Sequence, residues 1–238
     1  MANNAKHPQI TLLLTRPQRG SDAFWRALPV SLRDQLTPII SPLVRIDPIA
    51  NDLSDINSAI FTSANGPILG PEGDDRIAYC VGAQTTQAAR NAGWDARHLG
   101  NTADQLVDQI IELAPSGPLT HLCGTHTRGD VAPRLGMAGI ETTQIAIYDQ
   151  ALQPLSDQAT AALGRENPII LPLFSPRTAR QFKKQLNEGV TLHLIALSPA
   201  VAHEILGKNT KPVHICAEPT RKAMIEAVQN VAASIPLG

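Results

Sequence analysis

At 238 residues the chain is longer than one ordinary module and suits two compact domains. Hydrophobic residues make up 43% and charged residues 17%, enough apolar material for buried cores and too little charge for wholesale disorder. Twenty Lys and Arg against twenty-one Asp and Glu leave a net charge of -1, and aromatic content is 3%, so the basic excess and stacking platforms of a nucleic-acid binder are both missing.

Met1 to Pro8 is polar, and the apolar stretch Ile10 to Leu14 behind it is far shorter than a signal or spanning segment, so a cytoplasmic protein without membrane contact is expected. Gln9 to Thr15 reads as the first strand, followed by Thr15-Arg16-Pro17 and a helix. Thr37 to Ile49 is a long extended segment in which Leu43, Val44 and Ile46 alternate as in a half-buried strand. The strand Ala59 to Phe61 then runs into Thr62-Ser63-Ala64-Asn65, and the breakers from Gly66 to Gly73 allow at most a turn afterwards.

Ile77 to Val81 is the next strand, ending in Gly82-Ala83-Gln84-Thr85, and Gly93 marks a left-handed helix stop. Thr102 caps a helix to Leu113 in which Leu106, Ile110 and Leu113 repeat on one face. The strand Leu119 to Cys123 leads to Gly124-Thr125-His126-Thr127-Arg128 and a helix stopped at Gly139. A second extended segment, Ile140 to Leu152, carries Ile145, Ile147 and Tyr148. Strands Ile169 to Phe174, Leu192 to Leu197 and Pro212 to Cys216 follow, the first two ending in Ser175-Pro176-Arg177 and Ser198-Pro199. After Pro219 and Thr220 a last helix presents Met224, Ile225, Val228, Val231, Ala232 and Ile235 as one stripe.

Strands alternating with amphipathic helices mean an α/β fold with mainly parallel sheets. The pattern is weakly duplicated, since each half has an extended segment leading to a strand with a Ser-containing turn, Phe61 to Asn65 and Phe174 to Thr178. Two similar domains are therefore expected, with helices flanking each sheet: residues 1–41 plus 151–238 as a discontinuous first domain and 50–140 as the second. Segments 42–49 and 141–150 would pair as a two-stranded ladder between them, the place for a hinge.

The turns at Thr62, Gly82, Gly124, Ser175 and Ser198 should share one edge of a parallel sheet, where helix-start amides favour anions such as carboxylates. The competing reading is that these Ser and Thr residues cap helices. No Gly-rich loop ends in Lys-Ser or Lys-Thr, and no three-glycine dinucleotide fingerprint follows a strand. Cys123 and His126 lack a second pair at ligand spacing, so no metal site is expected. Ser63 and Ser175 lack the context of a nucleophile elbow and read as hydrogen-bonding groups. Cys80, Cys123 and Cys216, widely spaced in apolar runs, read as free core thiols.

Taken in order, Thr15-Arg16-Pro17, Phe61-Thr62-Ser63-Ala64-Asn65-Gly66, Val81-Gly82-x-x-Thr85, Cys123-Gly124-x-x-x-Arg128-Gly129-Asp130, the Tyr148 strand, Phe174-Ser175-Pro176 and Ala217-x-Pro219-Thr220 resemble the uroporphyrinogen-III synthase family from about residue 10 to 230. The resemblance implies two α/β domains holding hydroxymethylbilane in the cleft between them. It also implies a reaction without cofactor or metal that loses water and inverts ring D to give uroporphyrinogen III. On the same ground Tyr148 is expected to assist departure of the hydroxyl. Arg16, Thr62, Ser63, Asn65, Gly82, Thr85, Gly124, Arg128 and Ser175 are expected to hold the substrate's carboxylates. The competing reading for Tyr148 keeps its ring in a core and its hydroxyl in water. Where the family repeats Gly-x-x-Thr in the second half, this chain has Ser198 and Val201. A small-molecule ligand and a monomer are expected; a non-catalytic two-domain protein binding a tetrapyrrole or a carboxylate ligand is the alternative.

Overall fold

The computed structural model describes residues 10–127, 129–165, 167–186, 192–206 and 213–236. In chain order it contains β1 (Ile10–Leu14), α1 (Gln18–Ala27), α2 (Val30–Arg33), β2 (Leu36–Ile40), β3 (Val44–Pro48), β4 (Ala59–Phe61), α3 (Asn65–Leu69), β5 (Ile77–Cys80), α4 (Ala83–Asn91), β6 (Asp95–His98) and α5 (Ala103–Leu113). There follow β7 (Leu119–Gly124), α6 (Val131–Met137), β8 (Thr142–Leu152), α7 (Asp157–Leu163), β9 (Ile169–Leu173), α8 (Pro176–Lys183), β10 (Leu192–Ala196), α9 (Pro199–Ile205), β11 (Val213–Ile215) and α10 (Arg221–Ser234). The chain forms two compact units, Met1–Arg45 with Leu152–Gly238, and Ile46–Ala151.

The first unit holds a parallel sheet in the order β11-β10-β9-β1-β2. Its central strands are apolar on both faces, because α/β crossovers cover both. Ile10, Leu12 and Leu14 of β1 pack with Phe24 and with Met224 and Val228 of α10, while Leu13 faces the opposite layer with Phe182, Val201 and Ile205. Pro38 lies in β2, an edge strand, where a missing N–H costs no ladder bond.

The second unit holds a sheet in the order β3-β8-β7-β4-β5-β6, parallel from β8 to β6. Phe61, Ala78 and Cys80 face Ala89 and Trp94 on one side; Ile60 and Tyr79 face Leu106, Ile110, Val131 and Leu135 on the other. β3 runs antiparallel to β8, since Gln153 donates its N–H to Leu43 O and Ile49 donates to Ile147 O. The helix stops expected at Gly93 and Gly139 are present, both with positive φ, and at the second Ile140 N–H reaches back to Leu135 O.

Several local expectations are corrected. The segment Thr37 to Ile49 is two strands in different sheets, parted at Pro42, which supplies no donor, and at the buried Ser41, whose hydroxyl accepts the Ser156 N–H at 2.8 Å. Asn65 begins a short helix where at most a turn was expected; Pro67 falls in its first turn, where the missing N–H needs no partner. Leu113 is exposed although it continues the face of Leu106 and Ile110, as α5 is already ending there. β6 was not expected at all: it is an edge strand with one buried residue, Ala96, and so lacks an apolar run. Pro212, at the start of one expected strand, and Gln9, at the start of another, lie outside the described residues.

The long closing helix depends on its cap: Thr220 Oγ1 accepts the Ala223 N–H at 3.2 Å. Thr220→Ala should lower stability by about 1 kcal/mol in urea unfolding, and Thr220→Ser should restore most of it.

Candidate functional site

Numbered by its own chain order, the first sheet reads 2-1-3-4-5, and the strand order reverses between β1 and β9. In the second sheet the reversal lies between β7 and β4. Helices leave neighbouring strands to opposite faces at such points, opening a crevice at the carboxyl ends where ligands of α/β sheets bind. The turns expected on a single edge are thus divided. Those at Thr62, Gly82 and Gly124 follow β4, β5 and β7; those at Ser175 and Ser198 follow β9 and β10 of the other sheet.

In the unit Ile46–Ala151 the reversal is bordered by the end of β7, and Tyr148, on the next strand β8, packs against Gly124 there. Pairing of β7 with β8 slips after Cys123↔Ala146, so that Gly124 faces Tyr148 and Ile147 is the extra residue of a bulge. Simple alternation would send Ile147 and Tyr148 to opposite faces; with the bulge both pack in one core layer. The ring lies directly on Gly124, where an added Cβ would stand 2.5 Å from Tyr148 Cε2 and 2.9 Å from Cζ. Tyr148 is 2% exposed, which sets aside a hydroxyl in open water. Burial raises its pKa, while hydrogen bonds from the Ser63 and Gln150 side chains and the Gly124 backbone lower it. The net shift is upward, so the phenol is protonated at neutral pH and can donate.

Neighbouring turns are held by their own contacts. Thr62 Oγ1 lies 3.1 Å from His121 Nε2, and His121 is fully buried in β7. Among the described residues His121 Nδ1 has no partner at hydrogen-bonding geometry; burial drives the imidazole pKa down to about 4, with the Gln144 side chain favouring the charged form too weakly to offset it. Ser63 Oγ accepts the Asn65 N–H at 3.3 Å. Gly82 precedes α4 with φ +78, and Thr85 is buried in that helix's first turn. No side-chain cap occupies the starts of α4 and α6, so capping does not account for the turns at Gly82 and Gly124, whereas at α3 the Ser63 hydroxyl serves the first amide of its own helix.

In the other unit, Arg16 and Ser175 flank the crevice between β1 and β9. The Arg16 guanidinium stacks over Phe174 at 4.4 Å, and burial followed by nearby Arg221 pulls its pKa below the usual range. Ser175 is a helix cap: its Oγ accepts the Thr178 N–H at 3.1 Å. Ser198 starts α9 without a side-chain cap, and Val201 is buried in that helix's first turn as Thr85 is in α4, so the apolar replacement suits its place. Arg128 lies outside the described residues.

The structure therefore brings Ser63, Gly124 and Tyr148 together, with Thr62 and Asn65 on the same turn as Ser63, and keeps Arg16 and Ser175 on a separate sheet. Sequence reasoning missed His121 and Gln150. A His inside the apolar run Leu119 to Cys123 was a readable signal; nothing in the β8 pattern marks Gln150. Cys80, Cys123 and Cys216 are buried free thiols, the first two raised by burial to about 12 and about 11, which removes them as nucleophiles at neutral pH. Among the described residues no three His, Cys, Asp or Glu side chains gather as a metal site, and no helix is long and apolar enough to cross a membrane.

Two outcomes follow from this geometry. A His that charges in the unfolded chain near pH 6.5 but in the fold only near 4 makes the protein lose stability as pH falls between those values, by about 3 kcal/mol in all. Urea unfolding across that window should show a shallower slope for His121→Gln. Gly124→Ala should cost about 1–3 kcal/mol by displacing the Tyr148 ring, and the cost should shrink in a Tyr148→Ala background.

The fold resembles solved structures at low sequence identity. A uroporphyrinogen-III synthetase from Helicobacter pylori is 15% identical, with a TM-score of 0.66, covering 94% of this chain and 99% of its own. A mutant uroporphyrinogen III synthase from the extremely thermophilic bacterium Thermus thermophilus is 13% identical, with a TM-score of 0.51, covering 95% and 100%. No curated protein sequence matches the chain. The family model described as uroporphyrinogen-III synthase HemD matches residues 32–226, which is most of the length, and the chain belongs to the uroporphyrinogen-III synthase family.

Proposed function

We propose that this protein closes hydroxymethylbilane to uroporphyrinogen III, with loss of water and inversion of ring D, and that Tyr148 assists the departure of the hydroxyl. The supporting observation is the seat of Tyr148 in a family member: a protonated phenol fixed by a bulge against Gly124, the last residue of a strand that borders the sheet's switch point. The substrate's pyrrole nitrogen supplies the electron pair that expels the hydroxyl, provided the leaving oxygen receives a proton or a hydrogen bond. A neighbouring pyrrole then attacks the resulting azafulvene, and the inverted ring is reached through a spiro intermediate.

This chemistry asks for positioning and one proton donor, without cofactor or metal. Because the substrate also closes unaided to the wrong isomer, the protein's main task is to fix conformation. In this reading the helix starts at Thr62, Ser63 and Asn65, after Gly82 with Thr85, and after Gly124 with Arg128 hold acetate and propionate carboxylates, and Arg16 supplies positive charge in the other unit. Ser175, whose hydroxyl serves its own helix, would contribute through its backbone. The two units are taken as two domains linked through β3 and β8, and the protein as a cytoplasmic monomer.

A coupled assay tests the proposal: hydroxymethylbilane is generated in situ, the products are oxidised, and isomers I and III are separated by chromatography. Isomer III should dominate and Tyr148→Phe should reduce it at least tenfold. Isomer I alone, at the spontaneous rate, would overturn the cyclase and favour a tetrapyrrole-binding protein.

A further inference from the structure

The bulge that turns Tyr148 toward the core also sets what lies beside it. Gln150 is two residues further along β8 and so projects to the same side. A Cβ on Gly124 would come 2.9 Å from Tyr148 Cζ and 3.1 Å from Gln150 Nε2, so the amide nitrogen and the carbon bearing the phenol oxygen pack side by side over the same glycine. Ser63, in the turn after β4, also favours the ionised phenol. A phenol that gives up a proton leaves charge on its oxygen, and in a buried place that charge is costly unless donors already face it. The Ser63 hydroxyl, the Gln150 amide and the Gly124 N–H all favour the ionised oxygen, whereas Cys123 on β7 acts against it.

We propose that Gln150 is a positioning residue for the reaction: with Ser63 it holds the Tyr148 oxygen and stabilises the charge that builds there as the phenol donates to the departing hydroxyl. The inference rests on the reading of Tyr148 as that donor. The Tyr148 O–H bond breaks as its proton joins the substrate hydroxyl, whose C–O bond breaks to release water. The pyrrole nitrogen's electron pair replaces the lost bond, and the proton shed by that N–H as the azafulvene forms restores the phenol. Ser63 thereby gains a role toward the protein's own tyrosine beside any contact with substrate.

Since Tyr79 and Tyr148 are the two tyrosines of the chain, a Tyr79→Phe protein labelled with 3-fluorotyrosine carries one fluorine reporter, at position 148. Its fluorine signal followed against pH without substrate should show the ionisation midpoint moving up in Gln150→Leu, and further in Gln150→Glu, where a carboxylate replaces the donor. In the unlabelled protein Gln150→Leu should lower kcat for isomer III about tenfold with KM little changed, and should add nothing in a Tyr148→Phe background. An unmoved midpoint, or a change confined to KM, overturns this proposal while the cyclase stands. No isomer III from any chain, the parent included, overturns the cyclase reading and the catalytic use of Gln150 with it; the midpoint still reports whether Gln150 meets the phenol.

Discussion

Every functional feature of this chain depends on strands that are buried on both faces. A strand such as β1, with Leu12 on one side and Leu13 on the other, cannot tolerate water on either face, so the chain must return over it by a helix and lay the next strand parallel. Parallel order then gathers the strand-to-helix turns of each sheet at its carboxyl edge. Where the strand order reverses, the departing helices separate and leave a crevice: Arg16 follows β1 at the reversal of one sheet, and in the other Gly124 ends β7 at the reversal, with Tyr148 packed against it from β8.

Within that frame one irregularity does the positioning. A regular β8 would point Ile147 and Tyr148 to opposite faces; the extra residue at the bulge brings both to one layer, and the missing side chain at Gly124 leaves the space for the ring. Burial makes the phenol a weaker acid, and the donors around its oxygen work the other way. The balance suits a group that must stay protonated at neutral pH yet tolerate charge briefly during proton transfer. His121, one strand away and also buried, is held neutral by the same desolvation and serves by fixing Thr62.

The strand and helix pattern was legible because each element repeats apolar residues at its own period, and the expected strands Ala59 to Phe61 and Ile169 to Phe174 stand where periodicity puts them, the second one residue shorter. Periodicity failed where burial is slight or a donor is missing. β6 buries a single Ala, and the segment from Thr37 to Ile49 changes sheet at Pro42. The Ser175 hydroxyl illustrates a different limit: a residue type that suits both capping and binding cannot be assigned until its partner, here the Thr178 N–H, is seen.

Local periodicity and the order of short motifs along the chain were enough to establish the α/β class, the parallel strands, the hydroxyl-rich turns and the family. Which turns share a sheet, that Tyr148 is buried, and that Tyr148 and Gln150 lie together over Gly124 became visible in the folded chain alone. The reason is physical: strand order and a slip of register are set by how whole layers pack, and two adjacent apolar residues such as Ile147 and Tyr148 fit a bulge or a strand buried on both faces equally well until the partner strand is in place.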